Sequence, residues 1–166
     1  MLLLPAIQIE KAKPSDYSVL TEIAFLAKRH WNYPESYYRI WQDELTVSKD
    51  YINQSIVYKA LAGEFVVGFY SLSENKSDFY SGDVFVSKGH WLEHLFILPE
   101  YHNMGIGTLL MQHAITISKK LGISELLIFV DPYASRFYDK AGAEFLYNSK
   151  SSISGRMIPV YRLKIN

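Results

Sequence analysis

The sequence predicts an α+β domain, with some α/β character, in which helices cover a mixed sheet. Strand patterns alternate with helix patterns along the chain, two pairs of strand patterns lie close enough to form hairpins, and one long amphipathic helix stands between apolar strands. A chain of 166 residues is the usual size of one domain, so we expect a single domain over residues 1–166. The predicted order of elements is β-α-α-β-β-β-α-β-α-β-β.

The first half of the chain predicts a strand, two helices and a hairpin. Apolar and polar residues alternate in "AIQIEKAK", which is typical of a strand. Pro14 and Ser15 are typical helix-start residues, and an apolar stripe follows them, made of Val19, Leu20, Ile23, Leu26 and Ala27. A second helix is predicted in "PESYYRIWQDEL", with a short turn near residues 49–53. "SIVYKALAGEFVVGFYSLS" predicts two strands that turn at residues 62–64.

The second half predicts a strand, the longest helix, another strand and helix, and a final hairpin. The polar run 73–82 predicts a loop before the strand "HWLEHLFIL". Apolar residues at three- and four-residue steps predict a helix over about 105–121, with Gly122 just after its end. "ISELLIFV" predicts a strand. Asp131 is the predicted N-cap of a helix that ends near Gly142. "AEFLYN" and "MIPVYRLKI" are predicted to pair.

Composition excludes several classes of function. Seventeen basic and seventeen acidic residues give a formal net charge of zero, and no dense basic cluster is present, so we expect no nucleic-acid partner. The absence of cysteine excludes disulfides, thiolate metal ligands and a cysteine nucleophile. The apolar start "MLLLPAIQIE" is too short, and too soon broken by Pro5, for a signal peptide or a membrane span. We therefore predict a cytoplasmic protein with no membrane partner, in which residues 1–4 lead into the first strand.

The stretch "YHNMGIGTLL", residues 101–110, places two glycines one residue apart at the start of the predicted long helix. Such a pair often presents backbone amides to a phosphate. The dinucleotide-binding fingerprint requires a third glycine where Leu110 stands, and the ATP-binding P-loop requires a lysine after its glycine, where Thr108 stands. Two alternatives remain, which are another phosphate-containing ligand or a glycine-rich helix start without a ligand.

From Trp91 to Phe145 the chain resembles the GNAT superfamily of acetyl-CoA-dependent N-acetyltransferases. The first signature of that family is a strand, a Pro-x-Tyr loop and Gln/Arg-x-x-Gly-x-Gly/Ala, and it stands here as "LEHLFILPEYHNMGIGTLL" with His102 in the Gln/Arg place. The second is close to Asn-x-x-Ala-x-x-Phe-Tyr-x-x-x-Gly-Phe, and it stands as "DPYASRFYDKAGAEF" with Asp131 for the asparagine. The resemblance implies a mostly antiparallel sheet flanked by helices, and N-acetyltransferase activity with acetyl-CoA as co-substrate.

The resemblance also implies where coenzyme A binds. The backbone of Phe96, Ile97 and Leu98 would hydrogen-bond the pantetheine arm, where this strand splays from its neighbour. The loop and helix N-terminus would hold the pyrophosphate through the amides of Asn103, Met104, Gly105, Ile106, Gly107 and Thr108. The family often has cations before the first glycine, and here that assistance is lost unless a protonated His102, Arg136 or Lys140 supplies it. We therefore predict binding that depends mainly on backbone amides. Asp131 is either a cofactor contact or a helix cap.

Two residues are candidates for the chemistry. An ammonium with a pKa near ~10 has no lone pair, so a base must remove a proton before the amine attacks. Glu93 lies on the strand beside the implied acetyl position and is our candidate base, the alternative being an ordinary surface carboxylate. His94 would point to the opposite face of a regular strand, and only a bulge would change that. Tyr138 matches the family tyrosine that contacts the cofactor and protonates the departing thiolate, the alternative being core packing beside Phe137.

The letters of "HWLEH", residues 90–94, match the His-x-x-Glu-His pattern of zinc proteases, which requires a helix. A strand is predicted here, and at ~3.3 Å per residue it separates His90 from His94 by ~13 Å. Two histidines that far apart cannot share one zinc ion. We therefore predict no metal site.

The sequence defines the acceptor site less sharply. The junction after the first helix, where the resemblance places the acceptor, is rich in aromatic residues, namely Trp31, Tyr33, Tyr37, Tyr38 and Trp41. Trp31, Tyr33 and Glu93 are our candidates for holding a cationic amine through cation–π and charge contacts. The same rings are also suited to the core or to a homodimer interface.

We expect an enzyme that transfers an acetyl group from acetyl-CoA to a primary amine, on a small molecule or a peptide. The resemblance implies direct attack within a ternary complex, and no residue of the sequence requires a covalent acetyl-enzyme. The alternative is a non-catalytic acyl-CoA-binding or regulatory module on the same scaffold.

Overall fold

A computed structural model describes residues 5–166 and places seven strands in one mixed sheet. They are β1 (Ile7–Lys11), β2 (Ile56–Ala62), β3 (Phe65–Asn75), β6 (Gly89–Ile97), β7 (Glu125–Phe129), β8 (Glu144–Lys150) and β9 (Met157–Lys164), and a separate hairpin is formed by β4 (Phe79–Ser81) and β5 (Val84–Val86). The order across the sheet is β1-β2-β3-β6-β7-β9-β8, and β6 and β7 form its parallel pair. The predicted mixed and mostly antiparallel sheet is confirmed, whereas the expected lead into β1 at residues 1–4 lies outside the described residues.

Helices cover both faces of this sheet. They are α1 (Tyr17–Arg29), α2 (Glu35–Ile40), α3 (Gln42–Leu45), α4 (Lys49–Gln54), α5 (Ile106–Lys120) and α6 (Ser135–Lys140). The predicted second helix is divided at Trp41, whose ring is buried in the core. In α1 the buried stripe contains Ala24, and Leu26 is exposed, so that part of the predicted stripe was wrong. None of the helices formed by residues 5–166 has the length and apolar character needed to cross a bilayer.

The predicted loop over residues 73–82 is wrong, because most of this run is strand. Ser73 and Asn75 continue β3 and pair with Trp91 and Gly89 of β6. The chain then forms the β4–β5 hairpin around Gly82, whose φ of 60° lies in the left-handed region that glycine adopts easily. Polar residues are common on exposed strands, so polarity alone did not distinguish a strand from a loop here.

The sheet separates two cores. On one face α5 and α6 bury Ile106, Leu110 and Tyr138 against the sheet. On the other face α1 to α4 bury Leu20 and Trp41 together with β-strand side chains. The site described below lies where β6 passes between these two layers.

Strands β6 and β7 diverge after a short contact. Their pairing is limited to Trp91 with Leu127, although β6 continues for six residues to Ile97. On its other side β6 is paired with β3 from Gly89 to Ile97, with one interruption at Glu93. The divergence predicted from the family resemblance is therefore present, and it leaves one edge of β6 open beside the start of α5.

Candidate active site

The glycine loop before α5 has the left-handed backbone that its sequence predicts. Asn103 has a φ of 60° and Gly105 a φ of 82°. The backbone hydrogen bonds run from the His102 amide to the Pro99 carbonyl, and then from the Leu109 amide to the Gly105 carbonyl. The first amides of a helix have no acceptor within that helix. The N-terminal turn of α5 therefore presents donors beside the open edge of β6, an arrangement suited to an anion.

Gly107 packs closely against α6, which the sequence did not reveal. A Cβ atom at this position would lie 3.3 Å from Cε2 of Phe137 on α6, which is a crowded contact. The absence of a side chain at Gly107 therefore lets α5 lie close to the Phe137 ring of α6. At Gly105 the left-handed backbone itself favours glycine.

The His102 side chain is bound to the strand that precedes it. Its Nε2 lies 3.0 Å from the Ile97 carbonyl oxygen, which can only accept, so Nε2 carries the hydrogen. The ring also packs edge-on against His30, 4.9 Å between centroids, and is stacked with the Trp31 ring at 6.2 Å. His102 thus anchors the glycine loop to the end of β6.

The three predicted pantetheine positions do not present equivalent backbone groups. The Leu98 amide donates to the Val67 carbonyl at 2.8 Å and so points toward β3. Successive residues of a strand point their amides to opposite sides, so the Ile97 amide points toward the open edge. Of these positions, Ile97 presents its amide to a ligand lying along that edge, while Leu98 is committed to the sheet.

Asp131 is the N-cap of the short 3-10 turn Pro132–Ala134 that leads into α6, and it joins this turn to α1. Its carboxylate accepts hydrogen bonds from the Tyr133 amide, the Tyr33 hydroxyl and the Lys28 ammonium, at 3.0, 2.8 and 2.6 Å. Burial alone would raise the pKa of the Asp131 carboxyl, but Lys28 and these donors outweigh burial and lower the pKa. The N-cap role is confirmed, and the carboxylate is already engaged by three donors of the protein.

Two cations that the sequence did not single out surround Tyr33. Lys28 lies 4.5 Å from the Trp41 ring centroid and 5.5 Å from that of Tyr33. Arg156 donates to the Tyr33 hydroxyl at 3.0 Å and also stacks over the Tyr33 and Trp41 rings. The cation–π positions that we expected an amine acceptor to occupy on Tyr33 are thus used by the protein's own cations. Trp31 instead stacks on Tyr133, 5.1 Å between centroids.

Glu93 is the extra residue of a β-bulge in β6. The register of β3 with β6 passes from Ser71–His94 to Leu72–Leu92, which leaves Glu93 without a partner. Its carboxylate accepts hydrogen bonds from the Tyr51 hydroxyl at 2.7 Å and from the Ser73 hydroxyl. The residue is exposed, so this oriented carboxylate faces solvent in the middle of the sheet.

The bulge also changes the position of His94. We expected His94 on the face opposite Glu93 if the strand were regular, and the bulge is the exception to that expectation, because the extra residue breaks the strand alternation. Nδ1 of His94 lies 2.7 Å from the Ser71 hydroxyl, which in turn lies 2.8 Å from the Tyr51 hydroxyl that donates to Glu93. Burial lowers the pKa of His94, while the Glu93 charge and the Glu44 carbonyl act in the opposite direction.

Tyr138 is buried on α6 in the core on the α5 and α6 face of the sheet, whereas Glu93 contacts Tyr51, which packs against the core on the opposite face. Burial, and secondarily the Asp131 charge, raise the pKa of its hydroxyl. A hydroxyl that keeps its proton at neutral pH is what a general acid needs. Arg136 on the same helix is exposed, as is Lys140, and both stay candidates for a phosphate contact.

The "HWLEH" stretch is part of β6, which confirms the predicted strand. His90 lies beside Glu74, whereas His94 is buried against Ser71. Within residues 5–166, no group of three or more histidine, aspartate or glutamate side chains is arranged to hold a metal ion.

Comparison with known proteins identifies the family. The acetyltransferase (GNAT) family profile matches residues 18–143. Similar solved structures include the PaiA N-acetyltransferase from Thermoplasma acidophilum in complex with coenzyme A, with 23% identity, a TM-score of 0.70 and coverage of 96% of this chain and 99% of that one. They also include a GCN5-related N-acetyltransferase from Rhodopseudomonas palustris, with 16% identity, a TM-score of 0.73 and 99% of each chain covered.

A third similar structure is the ribosomal-protein-S18-alanine N-acetyltransferase from Escherichia coli, with 16% identity, a TM-score of 0.65 and coverage of 96% of this chain and 94% of that one. A comparison of the sequence with curated proteins gives no match. At these identities the structural likeness shows the fold, while the profile match spans most of the chain. The chain belongs to the acetyltransferase (GNAT) family.

Proposed function

We propose that the chain transfers the acetyl group of acetyl-CoA directly to a primary amine, with Glu93 as general base and Tyr138 as general acid. The observation that carries the proposal is the exposed Glu93 carboxylate, held by Tyr51 and Ser73 on the bulge of the strand whose edge is open. A base must be fixed and reachable by the acceptor, and this carboxylate has both properties.

The described residues fit coenzyme A as the acetyl carrier. The first-turn amides of α5, behind the left-handed Asn103 and Gly105, can hold the pyrophosphate. The Ile97 amide faces the open edge of β6, where it can bind the pantetheine arm. We propose that His102 supports this site by anchoring the loop through its hydrogen bond to the Ile97 carbonyl.

The proposed chemistry conserves protons. The Glu93 carboxylate removes one proton from the acceptor ammonium, and the neutral nitrogen attacks the thioester carbonyl carbon. As the new C–N bond forms and the C–S bond breaks, Tyr138 donates its proton to the leaving sulfur. The nitrogen loses a second proton on becoming an amide, so one proton in total is released to solvent when Glu93 and Tyr138 return to their starting states.

The acceptor is proposed at the level of a primary amine of a small molecule or a peptide. The proposal that Trp31 and Tyr33 border the acceptor path is supported by the contact of Trp31 with His102 of the glycine loop and of Tyr33 with Asp131. We propose that they shape this path as rings, because Lys28 and Arg156 already occupy the cation–π positions of Tyr33. The proposed location of the enzyme is the cytoplasm.

The test is thiol release from acetyl-CoA in the presence of a panel of amines, run alongside calorimetric binding of coenzyme A. Amine-dependent release of one thiol per acetylated product supports the enzyme. Binding of coenzyme A without turnover of any amine supports the alternative, a non-catalytic acyl-CoA-binding or regulatory module. An absence of binding would contradict both.

A further inference from the structure

A continuous chain of side chains runs inward from Glu93. The Tyr51 hydroxyl lies 2.7 Å from a Glu93 carboxylate oxygen, the Ser71 hydroxyl lies 2.8 Å from Tyr51, and Nδ1 of His94 lies 2.7 Å from Ser71. The chain ends where Nε2 of His94 meets the Glu44 carbonyl at 3.2 Å. We call Glu93, Tyr51, Ser71 and His94 the inner chain. Its members come from α4, β3 and β6, and its last contact is with the backbone of α3.

The inner chain lacks one hydrogen when Glu93 is ionised and His94 is neutral. Four contacts each need one hydrogen, and the side chains supply three, one each from Tyr51, Ser71 and the His94 ring. The Glu44 carbonyl can only accept, so the imidazole hydrogen belongs on Nε2. Ser71 can then donate its one hydrogen either to the Tyr51 hydroxyl or to Nδ1 of His94. The contact that receives no hydrogen then has two lone pairs facing each other.

One added proton completes the inner chain. With the proton on Glu93, the hydrogens point inward from Glu93 to Tyr51, from Tyr51 to Ser71 and from Ser71 to Nδ1 of His94. With the proton on His94, the same hydrogens point outward toward the Glu93 carboxylate. Both arrangements provide a hydrogen for all four contacts. Because a buried polar group left unpaired is costly, the hydrogen bonding of the inner chain favours uptake of one proton.

We propose that Tyr51, Ser71 and His94 are positioning residues that let Glu93 share the proton taken from the amine along the inner chain. This inference rests on the proposed function for its role in acetyl transfer. The inner chain ends at the Glu44 backbone carbonyl, which cannot take up the proton. The inner chain therefore stores the proton and returns it to solvent through the exposed Glu93. No other reactant is needed, because the proton moves between oxygen and nitrogen atoms already in contact.

The surroundings of the inner chain hold few other charges. His94 is packed against the Tyr51, Phe69 and Phe96 rings, and Glu93 is the charged group that acts on both His94 and Tyr51. Two other hydroxyls contact the inner chain. Ser73 donates to Glu93, and Ser55 hydrogen-bonds to Tyr51. Burial and the Glu93 charge raise the pKa of Tyr51, which keeps its hydroxyl available as a donor.

Two serine variants are expected to shift the titration of the inner chain in opposite directions. Ser71→Ala interrupts the inner chain, so proton uptake at Glu93 no longer completes it, and the midpoint of the titration moves to lower pH. Ser73→Ala is the matched control, because it removes only a donor to the ionised carboxylate, and the midpoint moves to higher pH.

The measurement is a pH titration by NMR of the substrate-free protein, following the Glu93 carboxyl carbon and the His94 ring nitrogens. In the unmodified protein both probes are expected to change with one shared midpoint. Ser71→Ala should separate the two probes, and Tyr51→Phe should do so by cutting a different contact, which covers the case that one variant does not fold. Ser73→Ala should keep them together. Independent midpoints in the unmodified protein, or an unchanged response in folded Ser71→Ala, would overturn the proposal.

This titration needs no acceptor, so its result is separate from that of the thiol-release assay. Shared titration without turnover of any amine would leave the inner chain standing and contradict the proposed function. Turnover that depends on Glu93, with independent titration of Glu93 and His94, would leave the function standing and contradict the inner chain.

Discussion

Replacing Lys28 with methionine removes the cation paired with Asp131 and keeps most of the side chain's apolar length. The two side chains are 14% and 13% exposed, and their charged atoms lie 2.6 Å apart. Breaking a fully buried pair costs about 3–5 kcal/mol, because it leaves one charge without a partner. Asp131 would keep the Tyr33 hydroxyl and the Tyr133 amide as donors, so we expect a smaller loss, of about 2 kcal/mol in the free energy of unfolding.

The loss should depend on pH in a defined direction. The pKa of Asp131 is lowered in the folded protein, so its contribution to stability is present above the ordinary carboxyl pKa and disappears as the pH falls through the folded value. Lys28→Met lessens that lowering. The difference in stability between variant and unmodified protein should therefore be largest near neutral pH and shrink as the pH falls below ~4.

Urea unfolding of both proteins at neutral and acid pH measures this difference directly. Glu35→Gln is the control, because it breaks the exposed pair of Glu35 with Arg29 and should change stability much less. A Lys28→Met protein as stable as the unmodified one would refute the reasoning, as would a difference that grows on acidification.

Three further outcomes follow from the site. Gly107→Ala should lower stability by about 1 kcal/mol and weaken coenzyme A binding, because the new Cβ crowds Phe137; thermal unfolding and calorimetry measure the two effects. Coenzyme A binding should weaken little between low and moderate salt, since backbone amides hold the pyrophosphate, and a steep loss by calorimetry would contradict this. Tyr138→Phe should lower kcat more than it raises KM for acetyl-CoA, and unchanged turnover would remove the acid role.

The sequence predicted those helix ends and turns that depend on interactions between residues close together in the chain. The glycine pair, with Gly122 after the last turn, was enough to predict α5, because left-handed caps and apolar spacing act within a few residues. The turn of the β2–β3 hairpin at Gly63 was predicted for the same reason. The N-cap role of Asp131 was also predicted, because Asp131 directly precedes the turn Pro132–Ala134 that it caps.

Long-range contacts were outside the reach of the sequence. Lys28 meets Asp131 across 103 residues, and Arg156 meets Tyr33 across 123, so neither pairing leaves a local pattern. The bulge at Glu93 depends on the register of β3 with β6, which the alternation of β6 alone does not contain. The face of His94 could therefore be predicted only for a regular strand.

The central claim is that Glu93 removes the proton from the amine, and Glu93→Gln tests it most directly. The amide keeps the shape of the side chain but cannot take up a proton, so kcat/KM for the amine at neutral pH should fall by about 10²–10⁴-fold. Binding of coenzyme A should be unchanged, and Glu74→Gln on the neighbouring strand should keep full activity. A Glu93→Gln enzyme with the unmodified rate would contradict the account.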